Sequence, residues 1–217
     1  PGRPLTAEVA GFQLAGADTD LLVKIVDGRA ANGAFWLFYN AFQSYYTVRV
    51  TDTSNGRFRF YSRWRGSPIG DSDLGAFPDP TPAASPAAGA PPFAEDAVGS
   101  APAAARCVPG PTTLCLFRNR FRVEATWNGF GAPKSAAQAL PLPGASFGGF
   151  TFFGSDDLQI AVRIEDHRRD FGHWWFIYSA LTNLEYTLTI TDTVSGRQRT
   201  YHNPYGLYAT SFDSQAF

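Results

Sequence analysis

Residues 174–178 read Trp-Trp-Phe-Ile-Tyr and residues 184–190 read Leu-Glu-Tyr-Thr-Leu-Thr-Ile, and both runs occur twice in this chain. The earlier copies are Phe-Trp-Leu-Phe-Tyr at 35–39 and Tyr-Thr-Val-Arg-Val at 46–50. In each copy a Thr-Asp-Thr tripeptide and a Gly-Arg pair follow, and each copy ends in Asp-x-x-Ala-Phe. An offset of about 140 residues relates the copies, which predicts an internal duplication.

Apolar and polar residues alternate in these runs. In 46–51, for example, Tyr, Val and Val alternate with Thr, Arg and Thr, which is typical of a half-buried β-strand and leaves no helical period. Gly56 follows an asparagine in a short connection and predicts a hairpin turn. The second copy contains about seven such strands in roughly 110 residues, a number that fits an immunoglobulin-like β-sandwich. We therefore predict an all-β chain of two tandem immunoglobulin-like modules.

The first copy is shorter at its beginning than the second. Gly11-Phe12 aligns with Gly149-Phe150, and the segment Leu114–Trp127, predicted as one long strand bent near Arg118-Asn119, has no counterpart. We predict a first, incomplete module at 1–77, an Ala/Pro-rich linker at 78–106 and a second module at 107–217. The chain has been cut, or the first module is complete without the strand, or the strand comes from elsewhere.

The net charge and the lengths of the apolar runs limit the classes of binding partner that we expect. The formal net charge of -1 gives no reason to expect nucleic acid or an anionic membrane. No stretch approaches the roughly 20 apolar residues of a membrane span. The chain starts with Pro1 and has no methionine, so we expect a trimmed, mature product whose signal peptide has been removed.

The two cysteines, Cys107 and Cys115, flank a Pro-Gly-Pro turn. A disulfide closing this loop would stabilise the fold by roughly 2–3 kcal/mol. A redox or metal pair is the alternative, but it usually takes the form Cys-x-x-Cys with further ligands nearby. We predict a structural disulfide, which favours export.

The second copy resembles a recurrent module of secreted bacterial proteins. The resemblance rests on Cys107…Leu114-Cys115-Leu116, on Arg120-Phe121-x-Val123-x-x-x-Trp127, on the aromatic and Thr-rich runs quoted above, and on the Asp213…Ala216-Phe217 ending. It covers about 107–217 well and 9–77 partly. The resemblance implies export and a β-rich fold, and it implies no chemistry.

The sequence gives little support for catalysis. No Gly-rich phosphate loop and no His-Glu-x-x-His motif occurs. The histidines His167, His173 and His202 have non-histidine counterparts in the first copy. A metal site at His167 and His173 and a pair of solvated loop residues are both open interpretations. We predict that the protein is not an enzyme.

Acidic residues repeat in both copies. They are Asp18, Asp20 and Asp27 in the first copy and Asp156, Asp157 and Asp166 in the second. Clustered carboxylates on loops can bind calcium, although no complete Asp-x-Asp-x-Asp-Gly loop is present. The alternative is that these residues form turns at strand ends.

The aromatic runs are apolar on both faces of a strand. The candidate contact residues are Phe35, Trp36, Phe38, Tyr39, Trp174, Trp175 and Tyr178. A two-layer sandwich buries only one face of each sheet, so something should cover the other. A segment of the same chain, a neighbouring subunit and a stacked sugar are the three candidates.

These observations lead to one hypothesis and one alternative. The hypothesis is an exported structural subunit that self-associates into an extracellular assembly, such as a filament grown by strand or linker exchange. A sandwich that lacks an inner strand exposes a groove that another chain can fill, and a head-to-tail contact of this kind does not close. The alternative is a carbohydrate-binding or adhesion module of a cell-surface protein.

Overall fold

The computed structural model describes residues 2–14, 19–42, 45–63, 70–78, 98–100, 106–129, 133–207 and 210–217. These residues form an all-β structure of antiparallel strands with two single-turn helices. The chain divides into two compact units, Pro1–Gly89 and Ala90–Phe217, and their boundary falls inside the predicted linker. Across the described ranges, no helix is long and apolar enough to cross a membrane.

The first unit contains a five-stranded and a two-stranded sheet. Its elements are β1 (Gly2–Pro4), β2 (Val9–Phe12), β3 (Leu21–Asp27), α1 (Arg29–Asn32), β4 (Ala34–Ala41), β5 (Tyr46–Thr51), β6 (Phe58–Arg63) and β7 (Gly70–Pro78). The larger sheet has the order β1-β2-β3-β4-β7, and β5 pairs with β6 to form the smaller sheet. Gly56 has a φ of 74° in the β5–β6 turn, where a glycine is favoured.

The second unit contains a five-stranded and a six-stranded sheet. Its elements are β8 (Val98–Ser100), β9 (Thr113–Leu116), β10 (Phe121–Asn128), β11 (Ser135–Ala136), β12 (Gln138–Pro141), β13 (Phe147–Thr151), β14 (Leu158–His167), α2 (Arg168–Phe171), β15 (His173–Ala180), β16 (Glu185–Asp192), β17 (Arg197–Asn203) and β18 (Thr210–Asp213). One sheet has the order β12-β13-β14-β15-β18. The other has the order β11-β10-β16-β17-β8, and β9 also pairs with β10.

The five-stranded sheets of the two units are paired in equivalent registers. Asp27 lies opposite Phe35 as Asp166 lies opposite Trp174. Side-chain contacts recur at equivalent positions: Asp27–Arg29 (2.6 Å) and Asp166–Arg168 (2.7 Å), Tyr61–Asp73 (2.8 Å) and Tyr201–Asp213 (2.7 Å). A residue of one unit can therefore be compared directly with its counterpart in the other.

Each unit packs its two sheets face to face around one hydrophobic core. In the second unit the core joins side chains of β14 and β15 with side chains of β10, β16 and β17, for example Ile164, Phe176, Val123, Leu188 and Tyr201. In the first unit it joins Val23 and Leu37 with Val48 and Tyr61. The predicted all-β sandwich class is therefore confirmed.

The strand order differs from the predicted immunoglobulin-like order. In an immunoglobulin domain the sheet of strands A, B, E and D takes strands from two separate parts of the chain. Here β12, β13, β14 and β15 follow one another in space as in sequence. Alternation of side chains reports which face of a strand is buried and carries no information on its neighbours, so it could not reveal this order.

The segment predicted as one long bent strand at Leu114–Trp127 is a hairpin. β9 ends at Leu116, the chain reverses, and β10 begins at Phe121 and pairs with β9. Phe117, Arg118 and Asn119 have positive φ values of 50°, 56° and 63°, a conformation that is rare for residues other than glycine and asparagine. Because no glycine marks the reversal, the sequence pattern suggested only a bend.

The linker contributes one described strand. Val98–Ser100 pairs with β17 in the second unit, whereas residues 79–97 and 101–105 lie outside the described residues. The predicted disulfide is present between Cys107 and Cys115, at a sequence separation of 8. It ties the segment before β9 to β9 itself.

Candidate strand-accepting groove

β5 and its counterpart β16 differ in their neighbours. β16 lies between two strands, β10 on one side and β17 on the other. Among the residues that the structure describes, β5 pairs with β6 alone. No described strand therefore occupies, beside β5, the position that β10 has in the second unit.

A groove of about 320 Å³ lies at this position. It is lined by Pro4, Thr6, Ala7, Glu8, Val9, Ala10, Phe12, Val23, Ile25, Val48, Arg49, Val50 and Thr51. These residues come from both sheets of the unit, with β2 and β3 on one side and β5 on the other. The groove thus opens into the space between the two layers of the sandwich.

The side chains along the groove are less buried than their counterparts. Ile25 is 37% exposed, whereas its counterpart Ile164 is 0% exposed. Phe12 and Val50 are half-buried, whereas their counterparts in the second unit, Phe150 and Ile190, are fully buried. The core of the first unit is therefore open on the side where the core of the second unit is covered.

β10 shows what closes such a core. All eight residues of this strand pair with β16, with Val123 opposite Ile190 and Ala125 opposite Leu188. Val123 and Ala125 are buried. The counterparts of Ile190 and Leu188 are Val50 and Val48, so a strand added to β5 would place apolar side chains opposite both.

The hairpin β9–β10 also covers the five-stranded sheet. A side-chain carbon at Gly148 would lie 2.6 Å from Leu114 of β9, so Leu114 packs directly on the backbone there. The counterpart of Gly148 in the register of the first unit is Ala10. Ala10 lines the groove and is half-buried.

The outer face of the β5–β6 sheet carries two exposed phenylalanines among polar side chains. Phe58 is 55% and Phe60 is 59% exposed, and the ring centroids are 5.5 Å apart. The Arg49 guanidinium lies over the Phe58 ring at 5.5 Å. At the equivalent positions of β17 the second unit has Gln198 and Thr200.

Most of the predicted aromatic contact residues are buried. Phe38, Tyr39, Trp174 and Tyr178 are buried within a single chain, so the chain itself covers both faces of these strands. Phe35, Trp36 and Trp175 are half-buried; their exposed fractions are intermediate. Of the rings that remain partly accessible, two belong to the first unit and one to the second.

Trp175 belongs to an aromatic cluster on the second unit. His167 stacks on it at 3.6 Å, and Phe171 and Phe212 lie at 5.1 and 4.9 Å. Trp175 and Phe212 are nearly perpendicular, at 87°, and the indole Nε1 has no hydrogen-bond partner. A sugar platform needs a free ring face with polar groups beside it, and here His167 already covers one face of Trp175.

The predicted calcium residues serve several separate contacts. The side chain of Asp20 accepts a hydrogen bond from the Leu14 amide at 2.8 Å. The hydrogen bonds of Arg29 lower the pKa of Asp27 to about 2. Those of Arg168 likewise lower the pKa of Asp166. Each of these two carboxylates is thus bound by an arginine.

The other acidic candidates do not gather around one point. Asp157 accepts a hydrogen bond from Gln159 at 2.5 Å, and Asp156 is exposed. Asp18 lies outside the described residues. Within the described ranges, no group of three or more His, Cys, Asp or Glu is placed to hold a metal ion. The calcium hypothesis stays a prediction.

The three histidines lie on different parts of the second unit. His167 Nε2 is 2.8 Å from Glu165 Oε2, and His173 lies opposite His167 in the sheet. His202 is on β17, in the other sheet, with its Nδ1 3.2 Å from Thr187 Oγ1. The described residues bring no histidine-based catalytic group together.

The groove residues were not among those singled out from the sequence. The missing counterpart of Leu114–Trp127 was the signal for an incomplete module, but not for the residues that it would have covered. Aligning the two copies position by position would have identified Ile25, Val48 and Val50, because their counterparts are core residues.

No family model, no curated protein and no solved structure matches this chain.

Proposed function

We propose that this protein is a non-enzymatic subunit of an extracellular assembly, and that its first unit receives a β-strand from another polypeptide. One observation carries the proposal. In the described part of the chain no strand pairs with the second edge of β5, which lies beside a largely apolar groove, and in the second unit β10 occupies the equivalent place. The disulfide supports an oxidising, extracellular setting, because disulfides are rare in reducing compartments.

Strand addition would satisfy two physical demands at once. An edge strand leaves backbone N–H and C=O groups without protein partners, and these groups can pair with an incoming strand. The same strand would bury the remaining exposed surface of Ile25, Phe12 and Val50. Hydrogen bonding would supply affinity, and the apolar side chains would fix the register.

The Ala/Pro-rich linker of another copy is a poor occupant of this site. Pro80, Pro82, Pro86, Pro91 and Pro92 fall within residues 79–97. Proline has no backbone N–H and is confined to sheet edges. A strand inserted beside β5 would pair along its length, so we favour a strand of the β10 type over linker exchange.

The proposal is tested with a variant that fills its own groove. In the second unit, residues 107–137 precede β12, whose counterpart in the first unit is β1. Fusing a copy of residues 107–137 ahead of Gly2 would supply β9 and β10 in the chain order that the second unit uses. A fusion with Val123→Asp and Ala125→Asp in that copy is the matched control.

The readouts are multi-angle light scattering and negative-stain electron microscopy at increasing protein concentration. We expect the unmodified chain and the control fusion to associate and the filled variant to stay monomeric. Equal association of all three proteins would show that contacts outside the groove drive assembly. A monomeric unmodified chain whose β5 amides are already protected from hydrogen exchange would also contradict the proposal.

Carbohydrate binding is the second candidate function. The specific observation for it is that Phe171 and Phe212, at 60% and 42% exposed, flank Trp175. A glycan array with the intact chain and with the Trp175→Ala variant tests it. Binding that the substitution abolishes would support it, while a blank array would leave strand acceptance as the better account.

A further inference from the structure

The start of β10 is held by an ion pair that has no equivalent among the described residues of the first unit. Arg120, the residue before β10, donates from Nε and Nη2 to the two carboxylate oxygens of Asp192, at 2.9 and 2.8 Å. Burial alone would raise the pKa of Asp192, but hydrogen bonds from Arg120, Ser195 and the Val194 amide outweigh it and lower that pKa. Asp192 is buried and charged beside Arg120.

Two further contacts complete this arginine-binding site, which we call the arginine seat. The backbone N–H and Oγ1 of Thr193 both donate to the Arg120 carbonyl oxygen, at 3.0 and 2.7 Å. The Arg120 guanidinium also lies over the Trp174 ring, 4.8 Å from its centroid. The aspartate, the threonine and the aromatic ring together bind the residue that starts the strand.

The first unit also has an aspartate, a threonine and an aromatic residue at the equivalent positions. Asp52, Thr53 and Phe35 are the counterparts of Asp192, Thr193 and Trp174. Asp52 accepts hydrogen bonds from Ser54 and Asn55 of its own turn, and the structure shows no arginine bound to it within the described residues. The side chain of Thr53 is exposed.

The aromatic member of the set is half-covered. Trp174 carries two guanidinium groups, Arg168 at 4.4 Å and Arg120 at 4.8 Å. Phe35 carries Arg29 at 4.7 Å, the counterpart of Arg168, and it is half-buried where Trp174 is fully buried.

We infer that the strand received by the first unit starts with an arginine that binds Asp52 and packs on Phe35. The partner is a second polypeptide with an extended Arg-apolar-x-apolar-x-apolar segment, paired antiparallel to β5. The charge of Asp52 is complementary to this arginine, and a planar guanidinium fits a carboxylate in the two-bond geometry seen at Asp192. This inference rests on strand acceptance as the function.

The probe is a synthetic peptide with the sequence of residues 119–128, added to the full chain. Binding is measured by calorimetry, and the site by hydrogen exchange at the β5 amides. The informative changes are Arg120→Gln in the peptide and Asp52→Asn in the protein. Asparagine keeps an acceptor oxygen for the Ser54 amide, and thermal unfolding checks that the turn is intact.

Matched controls distinguish binding of the peptide arginine at Asp52 from a general effect of charge on affinity. Arg122→Gln in the peptide removes an arginine whose side chain points away from the core. Asp71→Asn removes an exposed carboxylate of β7 that lies outside the groove. We expect both controls to change affinity by less than about threefold, since exposed charge pairs contribute little.

We expect Arg120→Gln or Asp52→Asn to weaken binding roughly ten- to a hundredfold, as loss of a charge-assisted pair does. The two changes together should cost no more than either one alone, because they remove the same interaction. A peptide that protects β5 with unchanged affinity after both changes would overturn the arginine seat and leave strand acceptance intact. A peptide that neither binds nor protects β5 would overturn strand acceptance itself. If the chain alone shows β5 protection that increases with protein concentration and that Asp52→Asn removes, the arginine seat holds and a second copy is the donor.

Discussion

Ile25 and Ile164 offer the most direct measure of what β10 contributes. The two residues occupy the same register position, and they differ in whether a strand covers them. Ile164 is 0% exposed and Ile25 is 37% exposed. Replacing each by alanine therefore applies one chemical change to a closed core and to an open one.

The expected magnitudes follow from burial. Ile164→Ala should lower the free energy of unfolding of the second unit by about 2–5 kcal/mol, including the cavity that remains. Ile25→Ala removes three carbons at about 0.8 kcal/mol each, or about 2.4 kcal/mol, and the buried share reduces this to about 1.5 kcal/mol. The cavity term largely disappears for Ile25, because water can enter the groove.

Filling the groove should raise the cost of Ile25→Ala. In the variant with residues 107–137 fused ahead of Gly2, we expect a loss of about 2–5 kcal/mol, as for Ile164. Denaturant unfolding, followed by hydrogen exchange of amides in each unit, measures the two units separately. Equal costs for Ile25→Ala with and without the fused strand would refute the view that β10 closes the equivalent core.

Three further outcomes test other features of the structure. Hydrogen bonds from Arg29 lower the pKa of Asp27 from 3.8 to about 2, so the stabilisation from this ion pair should be complete above about pH 4 and disappear as the pH falls towards 2. A carboxylate NMR titration of Asp27 should show a midpoint near 2, and Arg29→Gln should return that midpoint towards 3.8. Gly148→Ala should destabilise the second unit by about 1–3 kcal/mol because the new carbon would meet Leu114, whereas Gly154→Ala, with open space around it, should be near neutral. Reduction of the disulfide should cost roughly 2–3 kcal/mol in denaturant unfolding of the second unit.

Sequence periodicity predicted the strands well because burial on one face leaves a clear trace. The alternation in 46–51 and its repeat in β16 follow directly from side chains that point to opposite faces. Strand order leaves no such trace. Glycines and prolines between β12 and β15 mark turns but do not say which strands become neighbours, and the reversal at Phe117–Asn119 depends on unusual backbone angles that no glycine or proline marks.

The sequence predicted that the first module lacks a strand, but it did not predict which residues line the groove. The shortened first copy indicated that a strand was missing, and the structure places the groove beside β5. The large aromatic residues were predicted to be contact residues, yet Phe38 and Trp174 are buried within a single chain. In the sequence Asp52 is only part of a repeated tripeptide. Its proposed role is apparent from its counterpart Asp192, which binds Arg120 from 72 residues away in the chain.

The edge of β5 that faces the groove also bears on whether a partner is required. Proteins usually protect an edge strand with charged side chains, prolines, bulges, inward-pointing charges or a covering segment. β5 has six residues, no proline and no bulge in its pairing with β6. Arg49 is its one charged residue and is exposed, while Tyr46 and Val48 on the other face are buried in the core. In our proposal this edge, with one charge and an adjacent groove, is the template for another strand, and the adjacent Asp52 would give that template a preference for a strand that starts with arginine.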